Sequence, residues 1–238
     1  MIPLRRPPLE PALRRQLDQR TAALVRRGAT PGRARAAWSN SAAVRRGLRE
    51  ALELMAPGVQ RCMYCGDSHG ASIDHFEPLA RNPLKAFAWV NHLLACTHCN
   101  SNHKRDRFPV DDAGHCLLVD PAQEDPADHL RLVLRSGEYQ PRTAKGEATI
   151  EVFGLDRPAL VDGRAAAFVR CRSMLRDIHQ QLASGDGEEA GLVADALWVQ
   201  PFADVLHAMQ GIREQPGARV VIGGPEVESL RWLARRSR

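Results

Sequence analysis

The chain has 238 residues, 44% hydrophobic and 26% charged, an ordinary globular composition that excludes a wholly disordered, collagen-like or coiled-coil protein. Its apolar runs last only a handful of residues, far short of the roughly 20 that span a bilayer, and the opening MIPLRRPPLEP interrupts the apolar stretch a signal peptide needs. A soluble protein of the reducing cytoplasm is therefore expected, with net charge +5 and a core that needs no disulfide.

Leu9, Leu13, Leu17 and Leu24 recur at roughly helical spacing and predict a helix from Pro8 to Arg27, ended by Gly28 and Pro31-Gly32. A second helix is predicted from Arg33 to Met55, with Val44, Leu48, Leu52 and Met55 as its apolar stripe and Pro57-Gly58 as its stop. Residues 1–61 carry 13 Arg against four acidic residues, a net +9. Such a segment attracts phosphates, although an Arg-rich helix face is equally common as a solvated surface. Residues 60–109 are dense in Cys, His and Asn. Beyond them, Leu130, Leu132 and Leu134 alternate before Ser136-Gly137, and Thr149 to Phe153 is rich in β-formers, so both predict short strands. Ala165, Phe168, Cys171, Leu175, Ile178 and Leu182 follow steps of three and four and predict a long amphipathic helix from Val161, broken at Ser184-Gly185. Further helices are predicted over Glu189 to Val199, Phe202 to Met209 and Glu226 to Arg235. Residues 110–238 net −5, which repels DNA and suits docking to a partner.

Six cysteines are present, four of them in two CxxC knuckles: Cys62 and Cys65 in CMYC, Cys96 and Cys99 in CTHC. Each knuckle spans one edge of a tetrahedron, so the two together suit a structural Zn²⁺, with the 30 residues between them folding as an insert. Disulfides compete with this reading and are disfavoured in a reducing compartment; a redox CxxC lacks its βαβ surroundings. Cys171 lies on an apolar stripe and Cys116 beside two leucines, both as buried thiols.

The insert holds Asp74-His75, and Asn91 and Asn100 lie before and across the second knuckle. A carboxylate beside an imidazole offers a cation ligand and a general base near neutral pH. Asn100 is expected to open a helix whose face also carries His103 and Lys104. Each residue alone is more often a surface, cap or satisfied core side chain; their order between the knuckles changes that weighting.

The Asp74, His75, Asn91, Asn100 series, framed by the two knuckles, resembles the HNH endonucleases of the ββα-metal superfamily. The resemblance extends more weakly outward, through Arg107-Phe108-Pro109, Asp120-Pro121, Asp125 to His129 and Thr149 to Leu155. There it is similar to HNH nuclease subunits of bacterial antiphage systems such as Septu, which work beside an ATPase. It implies an α+β fold, a mainly helical chain enclosing a ββα-metal core stapled by a four-cysteine zinc site. Its regions would be an Arg-rich helical region at 1–59, the nuclease core at 60–109 and a partner-docking region at 110–238. It implies hydrolysis of DNA phosphodiesters with His75 as general base, Asp74 and Asn100 holding Mg²⁺ or Mn²⁺, Asn91 bracing the loop, and Lys104 and His103 contacting phosphate. Expected partners are DNA, a second defence subunit and, for a double-strand cut, a second copy of the chain. The alternatives are a zinc-stapled nucleic-acid-binding module without catalysis and a nuclease subunit that needs a partner's activation.

Overall fold

The computed structural model describes residues 1–236. Helix α1 (Pro11–Arg26) starts where Glu10 accepts the Leu13 amide at 2.9 Å, and α2 (Pro31–Ser39) where Thr30 accepts that of Arg33. Both have proline in the first turn, where its missing N–H costs nothing. The single helix predicted from Arg33 to Met55 is in fact two, because the chain stops at Asn40-Ser41 before α3 (Ala42–Glu53). At the break the Ser41 amide turns to the Trp38 carbonyl at 3.1 Å in place of the i−4 bond, and its hydroxyl takes the Ala37 carbonyl at 2.7 Å. Leu17, Leu24, Ala34, Val44 and Leu48 bury one face of each helix in a small apolar cluster with Leu79, Ala86 and Phe87.

Strands β1 (Ser72–His75) and β2 (His92–Ala95) pair antiparallel with Ser72 opposite Ala95 and His75 opposite His92. A π-helical turn, His98–Lys104, follows. Arginines hold this hairpin from outside. Arg6 donates to the carbonyls of Trp89, Val90 and His92, and Arg49 to those of Gly70 and Ala71. Part of the N-terminal arginine excess therefore supports the hairpin.

A second antiparallel pair, β3 (Leu130–Val133) and β4 (Glu138–Pro141), carries Leu130 and Leu132 of the leucines expected in a strand, and Leu134 lies in the turn after it. Gly137 closes its turn at φ +76°, where a Cβ would strike the Val161 carbonyl at 2.0 Å. The strand predicted at Thr149 to Phe153 is instead the last half of helix α4 (Ala144–Phe153). Thr143 caps its start, Gly154 ends it in the left-handed conformation, and Thr149, Val152 and Phe153 are buried together. Packing on one helical face overrides the β-propensity of those residues. Then come α5 (Pro158–Ala183), α6 (Gly187–Trp198), α7 (Ala203–Ile212), α8 (Ala218–Val221) and α9 (Gly224–Arg236). The break at Ser184-Gly185 and the helices on either side of it lie where the sequence puts them.

The molecule is α+β and mainly helical, with two small sheets among the described residues. One large apolar cluster joins Met1, the four knuckle cysteines, Phe153, Cys171 and Leu230, so it crosses all three regions read from the sequence. Among the described residues no helix is long and apolar enough to cross a membrane.

Candidate metal centre and cleft

The first knuckle is a turn in which Gly66 donates to the Cys62 carbonyl at 2.9 Å, and Met63 ties it to β2 through Leu94 O at 2.9 Å. The second knuckle begins at Cys96, directly after β2, and ends at Cys99 inside the π-helical turn. The four sulfurs lie within 4.8 Å of one another, all four residues are buried, and none is disulfide-bonded. Cys65 Sγ and Cys96 Sγ are 3.9 Å apart, close to the edge of about 3.8 Å that a tetrahedron of Zn–S bonds near 2.3 Å requires. Hydrogen bonds among the four sulfurs favour the thiolate at Cys65 and Cys96 and, with burial, oppose it at Cys62 and Cys99. Arg157 Nη2 approaches Cys99 Sγ at 4.0 Å and supplies positive charge beside the cluster. The site fits Zn²⁺ and has no ligand position left over, which is the form of a structural centre.

Asp74 and His75 end β1. The Asp74 carboxylate is 3% exposed; Tyr64 donates its hydroxyl to Oδ2, and Lys104 its ammonium to Oδ1 at 3.0 Å. His75 Nε2 lies 3.1 Å from the Ala86 carbonyl. A carbonyl only accepts, so Nε2 carries the proton and the neutral ring keeps its lone pair on Nδ1. Burial pushes the His75 pKa below the ordinary value. Trp38 of α2 packs edge-on against His75, centroids 4.5 Å apart, and stacks on His92 at 5.1 Å.

Asn91 is buried. Its Oδ1 accepts the Glu77 amide at 2.8 Å, and its Nδ2 donates to the carbonyls of Glu77 and Lys85. Asn100 donates from Nδ2 to Ser72 Oγ at 2.9 Å, which turns its carbonyl oxygen away from that bond. Asp74, His75 and Asn100 line one cleft of about 230 Å³ together with Trp38, Arg35, Arg105 and Asp106. Arg35 reaches Asp106 across it at 3.5 Å, and Arg105 sits at a positive φ of +49°, uncommon for a residue with a Cβ. A carboxylate and an amide oxygen on one cleft are hard donors of the type Mg²⁺ and Mn²⁺ take, so the donor chemistry fits a divalent ion, with Lys104 already on the carboxylate.

The face expected to collect Asn100, His103 and Lys104 forms only in part, because Asn100 and Lys104 both turn to β1 while His103 leaves it. Asn100 lies inside the π-helical turn and does not open an α-helix. In the wider turn Asn100 reaches Ser72 and Lys104 reaches Asp74 and the His75 carbonyl, all on β1, while His103 points toward Gly154 and the His98 ring. Lys104 is 0% exposed, so the phosphate contact expected of it is closed in this arrangement. Sequence reasoning gave no role to Trp38, Tyr64, His92, Arg35 or Arg105. Tyr64 lies inside CMYC and His92 beside Asn91, so adjacency was the one signal available for them.

The chain is similar to Septu protein PtuB of Bacillus mycoides, with which it shares 32% identity over a match covering 44% of this chain and 46% of that protein. The chain thus matches less than half the length of this relative. No family model matches, and no solved structure does.

Proposed function

We propose that the chain is a divalent-metal-dependent endonuclease of the HNH type, cutting DNA as a subunit of a Septu-type antiphage defence system in the cytoplasm. The observation that carries this reading is the convergence of Asp74, His75 and Asn100 on one cleft beside a cysteine cluster suited to zinc. The resemblance to PtuB supports the defence context and a partner subunit. His75, its Nε2–H fixed on Ala86 O, would take a proton from water at Nδ1 while the water oxygen attacks phosphorus and the 3′ oxygen leaves. Asp74 and Asn100 would hold Mg²⁺ or Mn²⁺, which when bound supplies positive charge to the phosphate and the leaving oxygen. Asn91 braces the segment that follows His75, Arg35 and Arg105 lie where a phosphate backbone would enter, and His103 would meet phosphate farther out. The zinc holds the hairpin in shape.

The test is cleavage of supercoiled plasmid by wild type and His75→Ala in EDTA, Mg²⁺ and Mn²⁺, each protein first shown to carry about one zinc. Wild type is expected to nick or linearise only with Mg²⁺ or Mn²⁺, and His75→Ala to be slower by about 100-fold or more. Equal rates would sink the assignment of His75. Binding of DNA by zinc-loaded wild type without any cleavage would favour the binding module. The acidic residues 110–238 and the Arg35–Asp106 pair across the cleft favour a subunit that a partner activates, and partner added to the same assay would then switch cleavage on.

A further inference from the structure

Lys104 is among the largest fully buried side chains, and its ammonium has two acceptors, Asp74 Oδ1 at 3.0 Å and the His75 carbonyl at 2.7 Å. Among the described residues no other cation pairs with Asp74, and Arg105 of the same cleft donates to the Ser101 carbonyl. Arg35 is paired with Asp106, and the other Asp74 oxygen accepts from the neutral Tyr64 hydroxyl. Tyr64 is itself fully buried and stacked on Phe153 of α4 at 3.9 Å, so the carboxylate is held in place from that side. The backbone delivers the lysine here by an unusual route. The turn is π-helical, a rare form, and within it Lys104 stays on the side of Asn100 that faces β1, where its ammonium enters the hairpin. A residue so placed, and so completely enclosed, is unsuited to reaching a nucleic acid and well suited to balancing a buried charge.

We infer that Lys104 is the built-in counterion of Asp74 and competes with a divalent cation for that carboxylate, so that it sets how tightly the cleft takes metal. This rests on the reading of Asp74 as a metal ligand. A carboxylate bridged by an ammonium is already charge-balanced, and a divalent ion entering beside it meets a like charge within a few ångströms. The ion binds strongly only as the ammonium withdraws. The site is thereby weak toward metal in the resting chain, and a rearrangement of the π-helical turn that draws Lys104 away would raise its affinity.

The experiment measures Mn²⁺ binding by electron paramagnetic resonance on full-length, zinc-loaded protein, with thermal unfolding recorded with and without Mn²⁺. Wild type, Lys104→Met, Lys104→Arg and Asp74→Asn are compared. Lys104→Met keeps the length of the chain without its charge and is expected to bind Mn²⁺ at least tenfold more tightly than wild type; Lys104→Arg keeps the charge and stays within a few-fold of it. If Lys104→Met is destabilised by its unbalanced carboxylate, Mn²⁺ should raise its melting temperature more than that of wild type. Unchanged or weaker Mn²⁺ binding by Lys104→Met, or a variant that no Mn²⁺ concentration restores, overturns the proposal. Asp74→Asn separates the two layers. Loss of Mn²⁺ binding in Asp74→Asn upholds the ligand reading whatever Lys104→Met does, while retained binding removes that reading and the counterion proposal with it.

Discussion

At the scale of single residues, Asn91 shows how much structure one amide can hold. Three of its hydrogen bonds go to Glu77 and Lys85, and its own carbonyl accepts the Phe76 amide at 2.8 Å. The segment directly after His75 is thereby fixed to the start of β2. Asn91→Ala leaves one amide and two carbonyls without their partner, and it is expected to cost about 2 kcal/mol in urea unfolding. Asn91→Asp should do no better, because its carboxylate can still take the Glu77 amide but faces two carbonyls as an acceptor. A change below about 0.5 kcal/mol for Asn91→Ala would show that water replaces the side chain at no loss. The candidate residues of the cleft were legible because they stand in a short ordered series, Asp74, His75, Asn91 and Asn100. Trp38 and Tyr64 were not, because their partners His75 and Asp74 lie 10 or more positions away and no local spacing announces a contact of that kind. The burial of Lys104 was hidden for another reason: lysine is ordinarily exposed, and the carboxylate that draws it inward lies 30 positions earlier in the chain.

Among the elements, β2 carries a histidine that cannot accept a second proton cheaply. His92 is 0% exposed, its Nε2 donates to Ala86 O at 3.1 Å, its Nδ1 has no partner among the described residues, and Trp38 stacks on its ring. Burial holds its pKa well below the ordinary 6.5, with the neighbouring His75 adding to the effect. The folded chain therefore keeps His92 neutral at pH values where the unfolded chain protonates it. That contribution to stability is fully present above about pH 6.5 and is lost as the pH falls below it, by at most about 1.4 kcal/mol per pH unit. Urea unfolding of wild type and His92→Phe between pH 7.5 and 5.5 should show the variant losing less stability on acidification. Parallel losses would mean that other groups, His207 among them, carry the whole dependence. The same scale explains which elements were readable. The 26 residues of α5 repeat their apolar stripe often enough for periodicity to be unambiguous. Thr149 to Phe153 spans too few residues for period to outweigh propensity, and the break between α2 and α3 is one tightened turn at Asn40-Ser41 with no glycine or proline to mark it, so neither could be read from pattern alone.

Over the whole molecule, the cysteine cluster joins parts that the sequence presents as separate. Its four residues belong to the same apolar cluster as Phe153, Cys171 and Leu230, and the Gly66 carbonyl of the first knuckle accepts the Phe202 amide at 2.9 Å at the start of α7. The expected regions at 1–59, 60–109 and 110–238 follow composition, which records where cysteine and arginine are dense but not which side chains share a core. Removing zinc should therefore act beyond the knuckles. Structural zinc contributes apparent binding energies of about 10–16 kcal/mol, as large as the roughly 5–15 kcal/mol that stabilises a typical domain. Without it, four buried sulfurs would face one another with nothing to hold them. Treating the protein with a tight zinc chelator should release about one equivalent of metal and lower the melting temperature by more than about 10 °C, since each kcal/mol lost at this chain length is worth roughly 2–4 °C. Most helical circular dichroism should survive, because α1 to α3 pack on a second apolar cluster that contains no cysteine and α5 packs on α6, α7 and α9. Limited proteolysis should then cut first between residues 60 and 109, and, on the proposed nuclease reading, plasmid cleavage should disappear even with Mg²⁺ supplied. An unchanged melting temperature after complete zinc release would mean that packing alone holds the hairpin, and the cleft would then owe its shape to Arg6, Arg49 and Asn91 and not to the metal.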